Sequence, residues 1–162
     1  MIDGDVHIVP FRPEHAGAFY ALNRAWLDAH DLYEAADEAQ LSDPDGTILS
    51  LGGAIFVAIR DTDVVGTAAV VPHGPGEVEI AKLTVADAAR GRGLGRRLAE
   101  VCLARARQMK MRRVVLVSSS RLGAALALYE SMGFVHKPMP STQPYETADV
   151  YMELELGSLG AP

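Results

Sequence analysis

The fold of this chain is decided by one stretch, Arg90-Gly91-Arg92-Gly93-Leu94-Gly95-Arg96. It follows a β-rich segment at 77–85 and opens an amphipathic segment at 93–110, so it is predicted to be a turn between a strand and a helix. The first turn of a helix carries unpaired backbone N–H groups and a partial positive charge, which attract an anion. Glycines let the backbone approach phosphate oxygens closely, and arginines add bidentate donors. The stretch therefore predicts a phosphate-binding turn.

Two common phosphate loops do not fit this turn. A Walker A loop needs Lys-Ser or Lys-Thr after its last glycine, where this sequence has two arginines. A dinucleotide-binding fingerprint starting at Gly91 needs a third glycine where Arg96 stands. The pattern that remains is Arg-x-x-Gly-x-Gly at Arg90, Gly93 and Gly95, and a tight glycine-rich turn without a ligand is the alternative interpretation.

The rest of the chain predicts an α/β domain that spans residues 1–162. Strands are predicted at 6–11, 54–60, 64–71, 77–85, 114–118, from Phe134 onward, and at 149–156. Helices are predicted to begin near Pro13 and to cover 93–110 and 121–132, with one short helix and loops in 31–51. The first strands form a meander with a hairpin at 61–63, and two strand-to-helix units follow. This order predicts a mixed, mostly antiparallel sheet with helices on both faces.

Composition excludes several classes of function. Fifteen basic against twenty-one acidic residues give a net charge of -6, which disfavours a general nucleic-acid binder, although a nucleic-acid module built on the arginine cluster is a competing interpretation. The single cysteine, Cys102, excludes an internal disulfide, and the five histidines have no metal-ligand spacing, so no metal site is predicted. Residues 1–5 carry acid where a signal peptide carries base, and no run of 18 apolar residues occurs, so we expect a cytoplasmic protein without a membrane span.

Four elements of the sequence together resemble the GNAT superfamily of acetyl-CoA-dependent N-acetyltransferases. They are Glu79, eleven residues before Arg90; Leu83-Thr84-Val85; the Arg-x-x-Gly-x-Gly pattern; and the Tyr-x-x-x-Gly-Phe element from Tyr129 to Phe134. The resemblance covers about residues 52–156 well, and the first fifty residues match less specifically. It implies the GNAT fold, with strands splayed apart at the cofactor site.

The resemblance also implies which residues hold acetyl-CoA as cosubstrate. The turn amides would hold the pyrophosphate, and the backbone of 83–85 would pair with the pantetheine arm. The implied cofactor-binding residues are Leu83, Thr84, Val85, Arg90, Gly91, Arg92, Gly93, Leu94, Gly95, Arg96 and Ser119. Ser119 stands where family members often carry Asn, so its alternative is ordinary N-cap chemistry. A homodimer through the last strands is expected by family analogy.

Glu79 is the candidate general base. An alkylammonium has a pKa of about 10.4, so something must remove its proton, and an ordinary Glu is mismatched by roughly 8 kcal/mol unless burial raises its pKa or water relays the proton. Strand alternation predicts that 77, 79, 81, 83 and 85 share one face and that Lys82 points to the other. Glu77 is the weaker candidate for the base.

Tyr129 is the candidate that assists the leaving thiolate. A phenol is a weaker acid than a thiol by about 2 kcal/mol, so we expect Tyr129 mainly to donate a hydrogen bond to the sulfur. The backbone N–H of Val85 is expected to stabilise the oxyanion. Cys102 lies on the apolar stripe of its helix and is interpreted as a core thiol.

The sequence gives the least information about the acceptor site. The acidic net charge favours a cationic acceptor, so the predicted acceptor is a primary amine of a small molecule, peptide or protein. Candidate lining residues are Trp26, His30, Tyr33 and Tyr145. A non-catalytic acyl-CoA-binding sensor is the alternative function.

Overall fold

The computed structural model describes residues 5–157, so Met1 to Gly4 of the acidic start lie outside the described residues. Its strands are β1 Val6–Pro10, β2 Ala54–Arg60, β3 Asp63–Gly74, β4 Glu77–Val85, β5 Arg113–Ser118, β6 Val135–Lys137 and β7 Val150–Glu155. Its α-helices are α1 Ala16–Ala29, α2 Ala35–Ser42, α3 Leu94–Gln108 and α4 Gly123–Ser131. The strands form one sheet in the order β1-β2-β3-β4-β5-β7-β6. All neighbours are antiparallel except β4 and β5, which confirms the predicted mixed sheet.

The first half of the sheet is a meander, as the sequence predicted. β2 and β3 are joined by a tight turn in which Arg60 pairs with Asp63. Asp61 takes a φ of 57° in that turn, a left-handed conformation that Asp tolerates better than most residues do. The hairpin predicted at 61–63 is therefore confirmed.

Segment 31–51 is more ordered than predicted. It contains α2 and, in addition, a single helical turn at Asp45–Leu49. Leu41 and Ile48 are buried against the sheet. One turn is too short to produce a periodic apolar pattern, so burial of Ile48 rather than sequence periodicity determines this element.

Two apolar clusters cover the two faces of the sheet. On one face, here called the α3/α4 face, α3 and α4 pack on β4 and β5 through Leu98, Cys102, Tyr129 and their neighbours. On the other, here called the α1/α2 face, α1 and α2 pack through Phe19 and Leu41. Helices thus cover both faces as predicted, and the fully buried Cys102 is a core thiol.

The sheet opens between β4 and β5. Their parallel pairing is limited to Glu77–Glu79 against Arg113–Val115. Beyond this point β5 continues along β7 as far as Ser118, while the remainder of β4 pairs with β3 alone. The predicted splaying is confirmed, and Glu79 is the last paired residue before the opening.

Candidate active site

A β-bulge in β4 changes which side chains share a face. The pairing with β3 moves from Ala69–Ala81 to Thr67–Thr84, so two residues of β4 oppose one residue of β3. Lys82 lies in the bulge with a φ of 54°. The predicted uninterrupted alternation of 77–85 is therefore wrong after Ala81, because the extra residue inverts the order of the faces.

The bulge places Lys82 on the same face as Glu79, not on the opposite one. The Lys82 ammonium contacts the Asp37 carboxylate of α2. Leu83 and Val85 pack instead on the α3/α4 cluster, so they no longer share a face with Glu79. The α1/α2 face of the opening therefore carries both an acid and a buried cation.

A buried polar network holds the bulge. Thr67 Oγ1 donates to the Lys82 carbonyl at 2.7 Å and accepts from Asn23 Nδ2 at 3.0 Å. Thr84 Oγ1 donates to Asn23 Oδ1 at 2.7 Å. Sequence reasoning missed Asn23, although one signal was available: it lies four residues after the buried Phe19, on the apolar stripe of α1, where a polar residue needs a partner.

The glycine-rich turn has the shape predicted for an anion site. Gly91 and Gly93 have φ values of 79° and 74°, and a Cβ at either position would meet no atom within 4 Å, so the turn is open. Gly93 is the N-cap of α3, and no side chain caps the first turn. The N-terminus of a 15-residue helix thus faces an unobstructed space.

The arginines of the turn make contacts of their own. Arg90 Nε donates to the Val85 carbonyl at 3.3 Å, and its guanidinium lies 3.1 Å from the carboxylate of Asp87. Arg96 donates to Ser131 Oγ of α4 at 2.5 Å. These exposed side chains must exchange a partner to bind a phosphate.

The backbone of β4 divides its polar groups between β3 and the opening. Ala86 donates its N–H to the Val65 carbonyl at 2.8 Å, toward β3. Because peptide groups alternate along a strand, the N–H and C=O of Val85 point into the opening and those of Thr84 point toward β3. Within the predicted stretch 83–85, the N–H of Val85 is therefore available to a ligand, its C=O already accepts from Arg90 Nε, and the backbone groups of Thr84 are engaged with β3.

A cavity of about 860 Å³, including its open mouth, occupies the opening. It is lined from β4, β5, both helix layers and the loop before β7, by residues that include Asn23, Trp26, Leu27, Leu32, Asp37, Glu79, Lys82, Leu83, Ser119, Tyr129 and Tyr145. The cavity thus joins the two faces of the sheet and brings together Glu79 and Tyr129.

Glu79 has the environment expected of a base. Its carboxyl has no hydrogen-bond partner within residues 5–157, and it borders the cavity. Burial raises the pKa of Glu79, although His73 and Lys82 oppose the rise through their charges. A carboxyl with a raised pKa is a stronger base for an ammonium proton.

Glu77, the weaker candidate, has the opposite environment. Burial alone would raise its pKa, but hydrogen bonds from His73 and Arg113 outweigh burial and lower the pKa. His73 Nδ1 and Arg113 each lie 2.8 Å from a carboxylate oxygen of Glu77. Glu77 is therefore held ionised in a surface ion-pair cluster outside the cavity lining.

Tyr129 reaches the cavity from α4. It is 8% exposed, and its ring packs edge-on against Phe134 with centroids 6.0 Å apart. Burial, and to a smaller extent Cys102, raises the pKa of Tyr129 to about 12. Proton transfer from this phenol to a thiolate would be uphill by roughly 5 kcal/mol, which favours hydrogen-bond donation over full transfer.

Ser119 makes hydrogen bonds within its own turn and also lines the cavity. Its hydroxyl accepts from the Arg121 N–H at 3.2 Å, and its carbonyl accepts from the Leu122 N–H at 2.9 Å. The residue is 3% exposed and lines the cavity. The N-cap of α4 is Leu122 and no side chain caps it, so the N-cap role suggested as the alternative for Ser119 is wrong, and its hydroxyl supports a turn instead.

Of the four acceptor-site candidates, Trp26 and Tyr145 line the cavity. His30 stacks on Trp26 at 4.3 Å between ring centroids. Tyr33 bonds Glu38, which raises the pKa of Tyr33 to about 12. His30 thus packs behind the cavity wall at Trp26, whereas Tyr33 bonds Glu38 of α2.

Sequence reasoning also missed Glu34, which fixes the loop carrying Tyr145. The Glu34 carboxylate accepts from the N–H groups of Glu146 and Thr147 at 2.9 and 3.0 Å. These contacts join residues more than 110 positions apart in the chain, and no local pattern indicates them.

A match to one family model agrees with the split sheet, the open N-terminus of α3, and the cavity that both Glu79 and Tyr129 line. The model of the acetyltransferase (GNAT) family matches residues 16–134. The chain belongs to the GNAT acetyltransferase family. The resemblance drawn from the sequence is confirmed. The matched range includes α1, although the sequence motifs were confined to the later part of the chain.

The chain is also similar in sequence to curated relatives and in fold to solved structures. The mycothiol acetyltransferase of Acidothermus cellulolyticus is 36% identical over 159 residues, which cover 82% of this chain and 45% of that relative. A GNAT acetyltransferase from Staphylococcus aureus Mu50 has a TM-score of 0.87 at 15% identity, covering 94% of this chain and 100% of that chain. A Salmonella typhimurium acetyltransferase, solved with its cofactor acetyl-CoA, has a TM-score of 0.75 at 23% identity over 98% of each chain.

The chain spans about half the length of the curated relatives it matches. Within residues 5–157 the structure contains no helix that is both long and apolar enough to cross a membrane.

Proposed function

We propose that this GNAT protein transfers the acetyl group of acetyl-CoA directly to a primary amine within a ternary complex. The observation that carries the proposal is the cavity in the β4–β5 opening, which borders Glu79 on the α1/α2 face and Tyr129 on the α3/α4 face. A ligand from each side would meet at this point. Two substrates bound together in this way need no covalent enzyme intermediate.

The residues of the α3/α4 face fit acetyl-CoA. Gly91 and Gly93 leave the N-terminus of α3 uncovered, and a Cβ added at either would project into the space that a pyrophosphate needs. The outward C=O of Val85, which also accepts from Arg90 Nε, suits an amide N–H of a pantetheine arm, which would lie beside β4 as an added strand. Acetyl-CoA, when bound, supplies the acetyl group as an activated thioester.

Glu79 is proposed to accept the proton of the acceptor ammonium. Its carboxyl borders the cavity without a hydrogen-bond partner among residues 5–157, so an incoming amine is not in competition with a protein donor. Its raised pKa reduces the mismatch with the ammonium. The proton leaves to solvent through the open mouth of the cavity.

Val85 and Tyr129 are proposed to stabilise the charges that develop during transfer. The N–H of Val85 donates to the oxygen of the attacked carbonyl. Tyr129 donates its O–H to the departing sulfur and keeps its proton, as its pKa of about 12 favours. Cys102 takes no part, because burial raises the pKa of its thiol to about 12 and leaves it un-ionised inside the core.

Steady-state kinetics with acetyl-CoA and a panel of primary amines tests the proposal. Thiol release that depends on the amine, with intersecting double-reciprocal lines, is the expected result. Parallel lines would contradict direct transfer, since they indicate an acetyl-enzyme. Calorimetry with acetyl-CoA completes the experiment: tight binding with no turnover on any amine would favour the acyl-CoA sensor instead.

A further inference from the structure

The α1/α2 wall of the cavity contains a buried ion pair for which the transfer chemistry has no use. The ammonium of Lys82 contacts the carboxylate of Asp37, and the two side chains are 6% and 4% exposed. Both residues line the cavity that holds Glu79. A buried ion pair is weak evidence of stabilisation, because desolvation offsets the attraction. Its position beside the reacting groups therefore points to recognition.

The backbone conformation of Lys82 is also unfavourable in free energy, in addition to the desolvation of the ion pair. Lys82 has a φ of 54° in the middle of a strand, a conformation that L-residues seldom adopt. Strain of this kind persists where surrounding contacts enforce it, and it concentrates at functional sites. Here Thr67 bonds the Lys82 carbonyl and fixes the bulge, so the ammonium is held against the cavity.

The pair retains hydrogen-bonding capacity on the cavity side. A lysine ammonium has three donors, and within residues 5–157 only the bond to Asp37 engages that of Lys82, with the Tyr145 ring 5.5 Å away. The second carboxylate oxygen of Asp37 accepts from the Glu34 N–H at 2.9 Å, and each oxygen can accept once more. The cavity wall therefore offers a donor and an acceptor side by side.

The charges of the wall restrict what can lie there. The ion pair is neutral as a unit, so Glu79 is left to attract the single positive charge of an amine. A second anionic group on the acceptor would face the carboxylates of Asp37 and Glu79, and a second cation would face Lys82. A hydroxyl or carboxamide can accept from Lys82 and donate to Asp37 at once, without leaving a buried charge unpaired.

We infer that the acceptor is a small monoamine that carries a neutral hydroxyl or carboxamide group, which the Lys82–Asp37 pair binds while the amine faces Glu79. The apolar side chains of Leu27 and Leu32 line the same cavity and suit an aliphatic remainder. This inference rests on the proposed function, since it names the substrate class of the same site.

Four matched amines test the inference: leucinol, leucinamide, leucine and isopentylamine. They share an aliphatic chain and differ in the group on the carbon that carries the amine, which is a hydroxymethyl, a carboxamide, a carboxylate or hydrogen. We expect kcat/KM, corrected for the fraction of unprotonated amine, to be about tenfold higher for leucinol and leucinamide than for the other two. A preference for leucine, or equal values for all four, would overturn the inference.

A double variant then connects the preference to the ion pair. Asp37→Asn together with Lys82→Met removes both charges at similar volume, and the asparagine keeps an oxygen for the Glu34 N–H. We expect the ratio of leucinol to isopentylamine in kcat/KM to fall to about one. The matched control is Arg24→Met with Asp28→Asn, an exposed ion pair on α1 with N···O of 2.9 Å, which should keep the wild-type ratio. A double variant that keeps that ratio would refute the assignment.

Acetyl-CoA calorimetry on every variant distinguishes failure of the inferred substrate class from failure of the proposed function. Turnover of all four amines without a preference refutes only the substrate class. Binding of acetyl-CoA with no turnover of any amine by the wild type refutes the proposed function and the substrate class together.

Discussion

The two sides of the β4–β5 opening differ in the chemical groups that form them, which are main-chain groups on one side and side chains on the other. On the α3/α4 face the proposed anion site is main chain, formed by seven consecutive residues at 90–96. On the α1/α2 face the wall is formed by side chains that meet over long distances in sequence: Asp37 with Lys82 at a separation of 45, and Asn23 with Thr84 at 61. The first side is local and independent of most side chains, whereas the second depends on the whole fold.

Because of this difference, residues on one side of the site can be substituted without loss of the other side. A backbone site tolerates substitution except where a Cβ would enter it, so it suits a cosubstrate that stays the same. A wall of paired side chains can be altered residue by residue, so it suits an acceptor that varies. Substitutions on the two sides should accordingly separate cosubstrate binding from acceptor use.

The largest effect is expected where the two sides meet, at Glu79. Glu79→Gln removes the base but keeps the shape, so kcat should fall by about 10²- to 10⁴-fold while acetyl-CoA affinity changes by less than about twofold. Initial rates and calorimetry check the two parts. The control is Glu77→Gln, two residues earlier and outside the cavity lining, with an expected loss below about threefold. A Glu79→Gln enzyme that keeps a tenth or more of the wild-type kcat would remove Glu79 from the mechanism.

A smaller effect, confined to the main-chain side, is expected at Gly93. Gly93→Ala places a Cβ on the uncovered end of α3 and forces alanine into a φ of 74°, which costs L-residues about 1–2 kcal/mol. The Kd for acetyl-CoA should rise about tenfold or more in calorimetry. Gly17→Ala, in α1 with nothing within 4 Å of the added Cβ, should leave the Kd unchanged. An unchanged Kd in Gly93→Ala would mean that the turn does not bind the cosubstrate.

The same division explains what the sequence could predict. The turn at 90–96 could be predicted locally, because its glycines and the start of α3 lie within seven consecutive residues, and the proposed anion site needs no others. The strand 77–85 and the helix after it were also correctly predicted from their apolar patterns. The prediction for the face to which Lys82 points was wrong, because the bulge is held by Thr67 and Asn23, which lie far away in sequence. Glu34 and Asp37 could not be found at all, since their partners become neighbours only in the folded chain.

An effect of about fivefold to tenfold is expected at Tyr129, on the α3/α4 side. Tyr129→Phe keeps the ring packed on Phe134 and removes one hydrogen bond, worth about 1–1.5 kcal/mol. The loss should appear in kcat with little change in the Kd for acetyl-CoA. Tyr151→Phe is the control, because burial also raises the pKa of Tyr151 to about 12, yet this residue does not line the cavity. A loss below about threefold in Tyr129→Phe would assign Tyr129 to the core alone.

The smallest effect concerns stability, and it should have opposite signs at Glu79 and Glu77. Folding raises the pKa of Glu79, so its stabilising contribution is complete below the unfolded pKa of about 4.3 and is lost as pH rises through the folded value. Glu79→Gln avoids that loss, and its Tm should exceed that of the wild type at pH 7 and above.

Folding lowers the pKa of Glu77, so its contribution is present above pH 4.3 and is lost in acid as pH falls through the folded value. Glu77→Gln should therefore melt below the wild type at pH 7. Each kcal/mol corresponds to about 2–4 °C for a chain of this size, which calorimetric scans between pH 4 and 8 resolve. Shifts of the same sign in both variants would show that burial does not govern the Glu79 carboxyl, and the main argument for its role as the base would fail.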